Sequence, residues 1–148
     1  GCHFIDFLTF LADTAPVSVS AHGLPNGGKY RDDNVSMTFT FPDGSVGIVD
    51  YLANGDRSFP KERLEVFCGG QIAVLDDFRS LQVLRDGKMR RTKPGGQHKG
   101  WKKEMAAFAS TIREGGAPPI PYEQLIGVTR AAFAAVESLN SKWTVEIA

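Results

Sequence analysis

Cysteine and histidine are scarce in this chain, and their spacing excludes the common disulfide and metal frameworks. The 148 residues include two cysteines, Cys2 and Cys68, and three histidines, His3, His22 and His98. A disulfide scaffold needs more cysteines, and a zinc site needs a CxxC or closely paired histidines, which the sequence lacks. We therefore predict no metal site and two reduced thiols, which favours a cytoplasmic protein.

Long apolar runs and an excess of one charge are also missing. No apolar run reaches the roughly 20 residues that a membrane span requires. The first residues do not resemble a secretory leader, because no basic segment precedes the apolar one. Seventeen Lys and Arg offset seventeen Asp and Glu, whereas nucleic-acid binders usually carry a basic excess. These observations predict a protein that contacts neither membranes nor nucleic acids.

Glycine and proline, by contrast, are plentiful, and they separate short segments of strand character. Sixteen glycines and eight prolines favour a strand meander over a helix bundle. In the clearest strand, 35–41, apolar side chains alternate with Ser and Thr, so that one face points to a core. The other predicted strands are 17–21, 46–53, 64–67, 72–75 and 81–84, with a short final one possible near 143–147.

Helical spacing is found at both ends of the chain. Residues 3–11 have the pattern of the end of a helix, and a second apolar stripe begins at Trp101 and ends at Ile112. A third helix is predicted from Pro121 to Leu139. Strands followed by helices predict an α+β fold, with an open, mainly antiparallel sheet of about six strands and helices packed on one face. We expect Trp101, like Tyr51 and Phe78, to lie in the core.

The opening residues GCHFID hold the pair of side chains with the clearest chemistry. His3 and Asp6 are three positions apart and share a face of a helix. A histidine titrates near neutrality and can accept a proton from an alcohol. The spacing leaves two interpretations of His3 open, a proton-transfer residue or a buried, hydrogen-bonded histidine at a helix start. Asp6 either orients the imidazole or caps local structure.

Three segments, taken in order, resemble the second domain of the Gfo/Idh/MocA oxidoreductases. They are GCHFIDFLTFL, the stretch from DDNVSMTFTF to IAVLDDF, and the stretch from HKGWKKEMAAF through PPIPYEQL to AAVESL. The residues of these segments, KERLEVF, HKGWKKE and PPIPYEQL in particular, are similar to the sugar-dehydrogenase-like half of bi-domain oxidoreductases. The resemblance covers most of the chain. It implies an enzyme whose N-terminal Rossmann domain binds NAD or NADP, and whose C-terminal domain supplies the substrate side and the oligomer interface.

The N-terminal half of such an enzyme has no counterpart in this sequence. No GxGxxG motif is present, and neither is the Glu-Lys-Pro motif that carries the catalytic lysine in the family. We therefore expect residues 1–148 to be the C-terminal α+β domain of a two-domain oxidoreductase without its Rossmann domain. On its own this chain is predicted to be inactive and to bind no nicotinamide cofactor.

The resemblance implies a role for one residue, His3, and the position of two others makes them candidate substrate contacts. His3 would exchange a proton with the hydroxyl of a sugar, nucleotide sugar or cyclitol while a hydride passes to nicotinamide. Asp6 and Lys61 are predicted to contact this substrate, Lys61 because it follows the loop at 54–60. The alternative for Lys61 and the adjacent Glu62 is a structural ion pair between loop and strand. The alternative function for the whole chain is a non-catalytic assembly or binding domain.

Two further patterns predict contacts with other molecules. The polar residues of strands 17–21 and 35–41 are small hydroxyl side chains rather than Lys and Glu, which favours a homo-oligomer, a dimer, formed through the sheet face. Residues 85–103 carry eight basic side chains against one acidic one, a formal charge of +7. This segment either contacts a phosphate or is a solvated hairpin and loop, and we prefer the second interpretation.

Overall fold

A computed structural model describes residues 1–25, 27, 33–93 and 95–148. The chain divides into two compact units, the first formed by Gly1–Asn54 and Gly116–Ala148 and the second by Gly55–Gly115. The predicted α+β class is confirmed. The described residues form eight strands in two open, antiparallel sheets of four strands each.

The first unit contains two long helices and one sheet. Its elements are α1 (Cys2–Ala12), β1 (Ser18–Gly23), β2 (Asn34–Thr40), β3 (Val46–Leu52), α3 (Tyr122–Ser141) and β8 (Val145–Glu146). The sheet order is β3-β2-β1-β8. The predicted loop at 23–28 lies partly outside the described residues.

One face of this sheet is buried beneath α1 and α3. The register places Val19 opposite Phe39 and Met37 opposite Val49, and all four are buried together with Ile5 of α1. The alternation predicted for 35–41 therefore assigns the core face correctly. The opposite face carries the hydroxyl side chains.

Small residues allow α3 to approach the rest of the first unit closely. A Cβ atom placed on Gly127 would lie 2.6 Å from the Cβ of Ala15, which is far inside van der Waals contact. Further along the same helix, Ala131, Ala134 and Ser138 are also buried. This part of the core thus consists of closely packed backbones rather than of large side chains.

The second unit consists of a four-stranded meander and a helix. Its elements are β4 (Arg63–Cys68), β5 (Gln71–Asp76), β6 (Ser80–Arg85), β7 (Lys88–Thr92) and α2 (Trp101–Glu114). Consecutive strands pair, so the sheet order is β4-β5-β6-β7. β7 was not among the predicted strands, because KMRRT has no apolar alternation, although a solvated hairpin was expected within 85–103.

The apolar stripe of α2 is exposed rather than buried. Trp101 is 70% exposed, and Met105, Phe108 and Ile112 are exposed as well. The expectation that Trp101 lies in the core is therefore wrong. Tyr51 is also exposed, whereas Phe78 is half-buried. The helical spacing of apolar residues correctly predicted the helix α2 but wrongly implied that its apolar stripe is buried.

Candidate functional site

The first turn of α1 presents the predicted proton-transfer residue. Gly1 caps the helix through its carbonyl, which accepts the Phe4 amide at 3.1 Å. Ile5 and Thr9, one helical turn apart, are both buried and fix the rotation of the helix against the sheet. His3 therefore lies away from the core at the open end of the helix.

His3 is exposed and Asp6 is half-buried. The helix brings the two to adjacent positions on its surface, but in the described part of the chain no hydrogen bond or ion pair joins them. The interpretation of His3 as a buried, hydrogen-bonded histidine is wrong. Its imidazole is accessible to a molecule from solution, as a proton acceptor for a substrate must be.

An aromatic pair lies beside this end of the helix. Phe4 and Tyr51 of β3 meet edge to face, with ring centroids 6.3 Å apart. A Cβ on Gly1 would lie 4.0 Å from Met37 Cε, so the helix start lies against β2 as well. Tyr51 was missed as a site residue because strand alternation assigned it to the core. Its partial exposure leaves apolar surface beside Phe4, the residue that follows His3.

Lys61 belongs to the second unit and is exposed. Glu62 does form an ion pair, with Lys99 at 2.6 Å, whereas Lys61 has no ion pair among the residues that the structure describes. A cavity in this unit is lined by the neighbours Pro60 and Glu62, but its lining does not include Lys61. The predicted site residues His3 and Asp6 thus share one unit, and Lys61 belongs to the other.

The described residues contain no cluster of three or more His, Cys, Asp or Glu side chains that could hold a metal ion. None of the helices described is long and apolar enough to cross a membrane. Cys2 and Cys68 are both exposed and unpaired.

The helix, its site and the strands that support it all lie in the segment that matches a known family. The family model of the GFO/IDH/MocA C-terminal domain matches residues 1–71. The predicted resemblance is confirmed. A search of curated proteins found no match.

Solved structures of oxidoreductases share the fold over nearly the whole chain. An oxidoreductase from Agrobacterium radiobacter, in complex with NAD+, L-tartaric acid and magnesium, is 17% identical with a TM-score of 0.80, over 99% of this chain and 47% of its own. Levoglucosan dehydrogenase, in complex with NADH and levoglucosan, is 20% identical with a TM-score of 0.80, over 99% of this chain and 48% of its own.

A third similar structure is the aldose-aldose oxidoreductase from Caulobacter crescentus, complexed with glycerol. It is 17% identical with a TM-score of 0.78, over 99% of this chain and 45% of its own. The chain thus spans about half the length of the solved structures it matches. At these identities the likeness establishes the fold.

Proposed function

We propose that this chain is the substrate-side and oligomerisation domain of a two-domain, NAD(P)-dependent oxidoreductase. The substrate would be a hydroxyl of a sugar, nucleotide sugar or cyclitol. The observation that carries the proposal is the exposed His3 at the start of the helix that opens the family-matched segment. The nicotinamide-bound structures that share the fold support the class of reaction.

In the proposed reaction, the oxidation of an alcohol, this chain would supply the group that accepts the proton. Oxidation of a secondary alcohol removes a hydride, which nicotinamide accepts when bound, and a proton, which a side chain must take. The His3 imidazole accepts that proton, and the partly exposed Tyr51 ring offers an apolar surface to the C–H groups of the substrate. Among the described residues no βαβ unit offers a dinucleotide site. The cofactor would therefore be held by the other domain.

The test is His3→Ala in the complete two-domain protein. We expect the chemical step to slow by about 10²–10⁴-fold, the usual contribution of a general base, with cofactor affinity unchanged. His22→Ala is the matched control, because His22 is an exposed histidine of the same unit, on β1. A loss below about fivefold for His3→Ala, equal to that of His22→Ala, would favour the non-catalytic alternative.

Asp6 and Lys61 are proposed as substrate contacts. Asp6→Asn and Lys61→Ala should raise KM for the substrate and leave cofactor affinity unchanged, since neither residue would touch the nucleotide. If Asp6 orients His3 instead, Asp6→Asn should lower kcat with little change in KM. An unchanged KM and kcat for either variant would remove that residue from the site.

The exposed face of the first sheet is proposed as the interface of a homodimer. Thr38 lies opposite Ile48 on this face, and Ile48 is 63% exposed. Ser18 and Thr40 form a hydroxyl pair, and Ser36 donates to Asp50 at 2.7 Å. A flat surface of short, internally bonded side chains with exposed apolar ones suits contact with a second copy across a two-fold axis.

Sedimentation tests this interface. The chain should run as a dimer and Thr38→Arg as a monomer, because two added charges would face each other across the axis. Asn140→Arg, at an exposed position of α3, is the control and should remain a dimer. A monomeric parent chain, or equal behaviour of the two variants, would refute the sheet-face contact. The cytoplasmic location stays a prediction from the two unpaired cysteines.

A further inference from the structure

A cavity of about 400 Å³ lies in the second unit. The loop before β4 contributes Phe59 and Pro60 to its lining, and the charged lining residues are of both signs. These are Glu62, Arg63, Asp76, Asp77, Arg79 and Arg91. Three acidic and three basic side chains give the lining no net charge, so the binding preference depends on which of them are already paired.

The two aspartates are neutralised by neighbours in the lining itself. Arg63 Nη1 donates to Asp76 Oδ1 at 2.8 Å, and Arg79 Nε donates to Asp77 Oδ2 at 2.9 Å. Gln97 Nε2 donates to the other Asp77 oxygen at 3.0 Å. Both carboxylates are thus occupied and offer little attraction to a cation.

Glu62, the third acid, is neutralised from outside the lining. Lys99 Nζ lies 2.6 Å from Glu62 Oε2, and both side chains are about three-quarters buried. The Lys99 ammonium also lies 5.6 Å from the centre of the Phe78 ring, within cation–π range. Every carboxylate in the lining therefore has a cationic partner.

Two of the three arginines keep donors in reserve. Arg63 uses both Nη groups and Nε on Asp76 and Glu65. Arg79 uses only Nε, and in the described part of the chain its two Nη groups carry no hydrogen bond. The Arg91 side chain has neither an ion pair nor a hydrogen bond with any residue that the structure describes. The cavity therefore offers guanidinium donors of Arg79 and Arg91 that no described residue uses.

The backbone that carries Arg79 is held in an unusual conformation. Asp77 and Phe78 have φ values of 47° and 53°, in the left-handed region that bulky residues rarely adopt. The turn is closed by Arg79 N donating to Asp76 O at 2.8 Å, and His98 N donates to Phe78 O at 3.0 Å. Strain of this kind persists where the surroundings fix it, and it is found at ligand sites.

We infer that this cavity binds the phosphate group of a small molecule through Arg79 and Arg91. Guanidinium groups match phosphate oxygens in geometry and charge. The volume exceeds that of a phosphate alone, so the remaining space would take the rest of a phosphate ester. The inference is independent of the role proposed for His3, because it concerns residues of the second unit only.

Calorimetric titration of the chain at constant ionic strength tests the site, with inorganic phosphate, glucose 6-phosphate and glucose as probes. Both phosphate probes should bind saturably at millimolar concentration or below, and glucose should not. Equal affinities for the two phosphates would assign the site to the phosphate group alone. An ester that binds at least tenfold more tightly would assign part of the contact to the rest of the molecule. Absence of saturable phosphate binding would overturn the inference.

Two charge-matched variants separate a site from a diffuse basic surface. Arg91→Gln should weaken phosphate binding at least tenfold. Arg90→Gln removes the same charge from the neighbouring position of β7, which points to the other face of the sheet, and should weaken binding less than twofold. Circular dichroism checks that both variants keep the parent's fold. Equal losses for the two would refute a site in the cavity.

Discussion

Ser138 is buried at a point where one sheet strand ends early, and its removal gives a quantitative test of the first unit. The two-residue strand β8 pairs with Ser18 and Val19 of β1. Ala21, two residues further along β1, donates its amide instead to Ser138 Oγ at 2.9 Å. The same hydroxyl donates to Trp143 O at 2.6 Å. Ser138 thus continues the hydrogen bonding of β1 beyond β8.

The cost of Ser138→Ala follows from the burial of these groups. Ser138 and Ala21 are each 1% exposed, so the Ala21 amide would be left without a partner, at about 1–3 kcal/mol. Loss of the second hydrogen bond, to Trp143 O, costs less, because Trp143 is 76% exposed and water can reach its carbonyl. Alanine has a higher helix propensity than serine, which offsets about 0.5 kcal/mol of this cost. We expect a net loss of about 2 kcal/mol in the free energy of unfolding.

Urea unfolding followed by tryptophan fluorescence measures this loss. Trp143 reports on the first unit, and a Trp101→Phe background removes the signal from the second. Ser141→Ala is the control, since Ser141 is an exposed serine of the same helix. Ser138→Ala should lower the melting temperature by about 4–8 °C. A loss no larger than that of the control, below about 0.5 kcal/mol, would refute the assigned role.

Three further outcomes are expected. Gly127→Ala should destabilise the chain by about 1 kcal/mol in urea unfolding, because overpacking against Ala15 outweighs the helix propensity gained; a stabilised variant would contradict the close approach. The Ser45 amide and hydroxyl donate to Asp43 and lower the pKa of its carboxyl below the ordinary 3.8. The stability that these hydrogen bonds contribute is therefore fully present above pH 3.8 and is lost as the pH falls through the lowered pKa of Asp43. An NMR titration should show the lowered pKa of Asp43, and Ser45→Ala, which removes the hydroxyl and keeps the amide, should reverse only the smaller part of the shift. Calorimetry of this chain with NADH and NADPH should show no saturable binding at micromolar concentration, and a clear micromolar site would contradict the expectation.

The sequence predicted the structure best for elements that bury one face only, because apolar and polar residues then alternate with the period of the element. The alternation over 35–41 correctly placed Phe39 in the core, where it is fully buried, and the small hydroxyl residues on the other face. The strand at Lys88–Thr92 escaped prediction because an exposed edge strand needs no apolar side chains. The division of the strands into two sheets depends on long-range pairing, which local periodicity does not encode.

The candidate sites show the same division between local and long-range information. Spacing alone placed His3 and Asp6 on one helix, and the structure adds that His3 is exposed. Pairing across loops was not predictable, since Glu62 takes Lys99, 37 positions away, rather than the adjacent lysine. The left-handed turn at Asp77 and Phe78 also gave no clear signal, because aspartate tolerates that conformation but phenylalanine rarely adopts it.

The cationic strand β7 has a consequence for colloidal behaviour. It forms one edge of the second sheet, so one side of its backbone carries amide and carbonyl groups that no other strand in the described ranges pairs. Such an edge is a template for strand addition and fibril growth. Edge-to-edge docking of a second copy would bring together the positive charges of both β7 strands, those of Lys88, Arg90 and Arg91. Their repulsion disfavours strand addition at this edge. Salt or a polyanion that screens these charges removes that protection.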